Sequence, residues 1–91
     1  MVTLPVELQN GNGVTRDVSA SGVFFETDVS FSARTGIIFS LLLEHADPAG
    51  PIRLHCHGEV VRVERVHDKF GVAVAIDQHR FNPIEASPRS G

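Results

Sequence analysis

Val14-Thr15-Arg16-Asp17-Val18-Ser19-Ala20-Ser21-Gly22-Val23-Phe24-Phe25-Glu26-Thr27 sets two short apolar segments around a polar run, Asp17 to Gly22. In an extended chain, residues two apart project to one side, so Asp17 and Ser19 place a carboxylate beside a hydroxyl. Arg16, by the same alternation, points to the opposite side of the strand. Gly22 lets the backbone turn at little steric cost before Val23 resumes a strand. An ionised carboxylate accepts two parallel N–H donors, as a guanine edge or an arginine fork presents them, and a hydroxyl can donate to a phosphate oxygen. A structural reading stands beside this one: Asp17, Ser19 and Ser21 satisfy the backbone N–H groups of a tight turn. Taken alone, the spacing favours that plainer account, because so short a pattern is easily met by chance.

Upstream, Val2, Leu4, Val6 and Leu8 alternate with polar residues and Pro5, the period of a strand with one buried face. Pro5 has no N–H to give a ladder, which assigns this strand to an edge or turns that position outward. Asn10-Gly11-Asn12-Gly13 suits the positive φ values of a hairpin turn, joining the first two strands antiparallel.

Downstream, Val23 to Thr27 reads as the third strand and Asp28 to Gly36 as a loop anchored by Phe31. Ile37 to Leu43 is apolar on both faces, with Ile38 and Leu42 opposite Ile37, Phe39, Leu41 and Leu43. Such a strand needs a second cover besides the core: a helix, a tail or another subunit. Asp47 to Pro51 is a loop. From Ile52 to Val66 the apolar parity changes: Ile52, Leu54 and Cys56 hold one phase, Val61 and Val63 the other, and a one-residue bulge near Gly58 would reconcile them. Phe70, Val72, Val74 and Ile76 then alternate with Gly71, Ala73 and Ala75, so this strand has a bulky face and a bare one open to packing of a tail or partner. Gln78 to Gly91, with two prolines, reads as a frayed tail that Phe81 and Ile84 could dock through a helical turn.

The 91 residues suffice for one domain, and 42% hydrophobic with 21% charged residues is a globular composition. A net charge of −3 and a single lysine, Lys69, argue against a long nucleic acid as partner, whereas one or two arginines can hold a small nucleotide. No apolar run is long enough for a membrane-spanning helix, and Met1 to Leu8 lacks the pattern of a signal peptide, so a cytoplasmic location is expected. The lone Cys56 cannot form an internal disulfide and fits a reducing compartment. His55 and His57 are spaced to chelate a metal, but no third ligand accompanies them and a polar outer face is the plainer account; no metal site is expected. No nucleophile elbow or paired-carboxylate arrangement points to an enzyme.

The segment from Val14 to Thr27 resembles the second and third strands of PilZ domains, the bacterial cyclic di-GMP receptor modules. Gly58-Glu59-Val60-Val61-Arg62-Val63 and Phe70-Gly71-Val72-Ala73-Val74 are similar to that family's last two strands, in the same order. The likeness runs from about Val2 to Ile76. It implies an all-β fold, a small six-stranded antiparallel β-barrel over residues 1–80, followed by a short flexible C-terminal tail over 81–91. A helix often follows the last strand in the family, and little sequence remains for one here.

The resemblance also implies a cyclic di-GMP site in which Asp17 accepts from guanine, Ser19 bonds guanine or phosphate, and Gly22 admits close backbone approach. The family's other half-site, an Arg-x-x-x-Arg run ahead of the first strand, has no match before Arg16. Lacking it would remove roughly two charge-assisted contacts at about 1.5–3 kcal/mol each. Either a longer form or a partner supplies these arginines, or the chain binds poorly. Arg62 lies in a strand the family shares and reads equally as a solvated barrel residue. The expected function is therefore a cyclic di-GMP sensing module that regulates an unidentified partner protein, without a further cofactor. The alternative is a PilZ-like interaction adaptor that does not bind the nucleotide, favoured by the two-faced apolar strand Ile37 to Leu43 and the bare face of Gly71, Ala73 and Ala75, with a homodimer through an apolar strand face as one form of it. An oligonucleotide-binding barrel would need exposed aromatics over a basic groove, and the chain has no Trp or Tyr.

Overall fold

The computed structural model describes residues 3–43 and 52–83. Six strands follow one another: β1 (Pro5–Leu8), β2 (Gly11–Ser19), β3 (Gly22–Thr27), β4 (Gly36–Leu43), β5 (Ile52–Val66) and β6 (Lys69–Pro83). They close into an antiparallel barrel in the order β1-β2-β3-β6-β5-β4. Closure rests on a seam of two residue pairs between β1 and β4, Val6 with Leu41 and Glu7 with Ser40. The expected all-β barrel is therefore the fold of this chain, and no helix occurs among the described residues.

Alternation explains the core. Val6, Val23, Phe25, Ile37, Phe39, Leu41, Cys56, Val60, Val72 and Val74 all turn inward, and Phe31 packs against them from the loop, as expected. Phe25 sits at the centre, edge-on to Phe31 at 6.4 Å between centroids and tilted against Phe39 at 6.0 Å.

Several expectations need correction. β1 starts at Pro5, not Val2; residues 1–2 lie outside the described part. Leu4 is nevertheless tied to β2, since the Thr15 N–H donates to the Leu4 carbonyl at 2.9 Å and the Leu4 N–H donates to Thr15 Oγ1 at 2.8 Å. By alternation the N–H that Pro5 lacks would face β4, beyond the last pair of the seam, where no ladder bond is lost. The first turn is Gln9-Asn10, because Leu8 pairs with Gly11; neither turn residue has positive φ, and Gly11 to Gly13 are already strand.

In β5 the parity changes at Val61 and not at Gly58. Val60 is fully buried and pairs with Val74, Arg62 pairs with Ala73, and Val61 is the extra residue, 52% exposed. A second shift next to Gly58 has its extra residue, Asp77, on β6. The tail expected from Gln78 is instead strand as far as Pro83, past the boundary placed at residue 80. Residues 52–57 of the long β5 offer a ladder edge that Gln78 to Pro83 satisfy. Ile84, the other proposed dock, and the loop at 47–51 lie outside the described residues.

Candidate functional site

Asp17 and Ser19 lie at the end of β2, where a two-residue turn, Ala20-Ser21, leads into β3. Asp17 pairs with Phe24 and Ser19 with Gly22; Val18 between them pairs with the buried Val23. Asp17 and Ser19 therefore share the outer wall of the barrel, exposed, as the alternation predicts.

Arg16 departs from the expectation that it points the other way. The β2–β3 register slips between Thr15, opposite Phe25, and Asp17, opposite Phe24, so Arg16 is an extra residue. Thr15 is buried inward, and the bulge turns both Arg16 and Asp17 outward. Arg16 is committed there to Glu26, its Nη1 donating to Oε2 at 2.9 Å.

The turn explains only part of the motif. Ser19 Oγ donates to the Gly22 carbonyl at 3.3 Å, a long bond across the turn. Among the described residues nothing donates to the Asp17 carboxylate, and no turn N–H uses the Ser21 hydroxyl. Gly22 carries a structural duty that its place in the motif does not suggest. A Cβ there would stand 2.9 Å from the Val74 carbonyl oxygen, so β6 lies close against this position.

Four outward residues line up across neighbouring strands: Asp17 on β2, Phe24 on β3, Ala73 on β6 and Arg62 on β5. The Phe24 ring leans over Gly71, where a Cβ would meet the ring 2.6 Å away. The bare face of β6 is thus filled in part by β3. The Arg62 guanidinium lies over the same ring, 5.8 Å from its centroid. Neither partnership could be found from local sequence, because the first depends on the register of β3 against β6 and the second on that of β3, β6 and β5 together.

The shelf is open. A groove of about 690 Å³ lies elsewhere, on β4, β5 and β6, with Ile38, His55, His57 and Asp77 in its lining. Of these side chains, His57 Nδ1 is paired with Asp77 Oδ1 at 2.7 Å and His55 Nδ1 with Ser40 Oγ of β4 at 3.0 Å, and Gln78, His79 and Arg80 complete the polar lining. No three metal-ligating side chains gather among the described residues. At the shelf the Asp17 carboxylate has no donor among the described residues and is open to the N–H groups of a ligand, whereas the His57–Asp77 and His55–Ser40 pairs at the groove are already matched.

A closed six-stranded antiparallel barrel with an exposed polar cluster on the outer wall, at the β2–β3 corner, defines a class of small all-β domains. The chain belongs to the PilZ domain family, whose family model matches residues 1–86. No curated protein and no solved structure matches it.

Proposed function

We propose that this chain is a cyclic di-GMP-binding PilZ module working in the cytoplasm, and that nucleotide occupancy alters its association with a partner protein. The observation that carries this reading is the exposed Asp17 carboxylate, which shares the outer wall with Ser19 and has no donor among the described residues. Asp17 accepts the paired N–H donors of a guanine edge, and Ser19 supplies a hydroxyl to guanine or phosphate. Gly22 serves the site indirectly, by letting β3 sit close to β6 at the turn.

An open shelf needs a cover to hold a dinucleotide well. β1 runs antiparallel to β2, so its N-terminal end lies at the Asp17 end of β2. An arginine-bearing segment joined there, or brought by a partner, would close over the ligand and change the exposed surface. That change follows occupancy only if the ligand prefers the covered state. No catalytic step is part of this reading.

A second reading, an adaptor without nucleotide, draws on Ile38, 60% exposed on the outer face of β4. Isothermal titration with cyclic di-GMP separates the two. The receptor reading expects a binding isotherm that Asp17→Ala weakens about tenfold or more, as loss of a charge-assisted pair implies. No heat and no competition at high ligand concentration would leave the adaptor.

A further inference from the structure

Arg62 ends the row that begins at Asp17. Three strand spacings separate their Cα atoms, about 14 Å. The Arg62 side chain covers part of that distance, since its guanidinium lies over Phe24, on the strand next to Asp17. Ala73, between them in the row, leaves the floor low.

Two further cations of these strands, on β2 and β6, are engaged with carboxylates, while Arg65, at the far end of β5, lies over the Phe70 ring at 5.2 Å from its centroid. Arg16 is held by Glu26 and Lys69 by Asp28, each through a carboxylate oxygen. Among the described residues Arg62 has no carboxylate partner, only the face of an aromatic ring. A ring face orients a guanidinium without neutralising it, and the planar N–H fork remains available to an anion.

We infer that Arg62 is a ligand-binding residue of the shelf: it donates to a phosphate of the nucleotide whose guanine edge Asp17 receives, and Phe24 holds it in position. The inference rests on the cyclic di-GMP reading above. It makes the barrel wall a source of arginine for the phosphates, independent of any segment ahead of β1. The base-to-phosphate direction of the ligand then runs across the strands from β2 toward β5.

The test is titration of cyclic di-GMP into the unaltered chain and into Asp17→Ala, Arg62→Ala, Arg62→Lys and Phe24→Leu, each first checked for an unchanged β-sheet spectrum. Arg62→Ala should weaken binding about 10- to 100-fold, and Arg62→Lys should recover part of that, as charge without the fork allows. Phe24→Leu should weaken it less than Arg62→Ala. Phosphorus NMR at saturating protein gives a readout that a merely structural role would not move. The bound phosphorus resonance should shift back toward its free position in Arg62→Ala and hold in Asp17→Ala. Equal affinity with and without the Arg62 side chain, or an unchanged phosphorus resonance, overturns the inference and leaves the receptor reading standing. Failure of the unaltered chain to bind overturns both.

Discussion

Thr15 is fully buried, and its hydroxyl is the acceptor for the Leu4 N–H beside the bulge at Arg16. Thr15→Val keeps the shape and orphans that N–H, which should cost about 1–3 kcal/mol in urea unfolding, with Thr15→Ser nearer the parent in the hydrogen bond it retains. Nothing in the sequence sets Thr15 apart from any β-branched strand residue, because its duty arises only once the bulge has displaced Arg16. Cys56 was legible as a small core residue, and burial pushes its thiol up from 9.0 to about 11. The unfolded chain loses this proton at lower pH than the folded one. The contribution of Cys56 is therefore complete below pH 9.0 and is lost as pH rises toward 11. Urea midpoints measured across that window should fall, and the part due to Cys56 should vanish in Cys56→Ala.

At the scale of the strand, alternation identified which segments are extended and which side Asp17 and Ser19 share. It could not place the bulges. Val60 and Val61 are the same residue to any hydropathy argument, yet one is fully buried and the other 52% exposed. Val61→Asp should therefore leave stability within about 0.5 kcal/mol, whereas Val60→Asp, burying an unpaired charge, should prevent folding; thermal melts distinguish them. The Asn-Gly pairs misled for a related reason. Their φ preference suits a turn, but the pairing of Leu8 with Gly11 takes the turn one step earlier and needs no left-handed residue. Arg62 was visible as a residue and not as a neighbour of Phe24, since that contact crosses two strand pairings fixed by the whole sheet.

For the whole barrel, ladder lengths are unequal. β5 and β6 share fourteen residue pairs and β4 and β5 eight, against two at the β1–β4 seam. Arg53 reaches across β4 to clasp Glu7 with two donors, at 2.7 and 3.2 Å. Seam amides should exchange with solvent deuterium well before those of β5 and β6, and Glu7→Gln should hasten the seam further without altering the long ladder. High salt should act in the same direction on the unaltered chain, because the clasp is only partly shielded from water.

The row from Asp17 to Arg62 spans β2, β3, β6 and β5, the arc that faces away from the seam. In mechanical terms the barrel is a split ring with its stiff span opposite its gap. A load that pinches or flattens the stiff span produces its largest displacement at the gap, where β1 meets β4. The outer face of β4 and the start of β1 would then move most when the far wall is strained, and a partner seated there could sense an event on a surface it never touches.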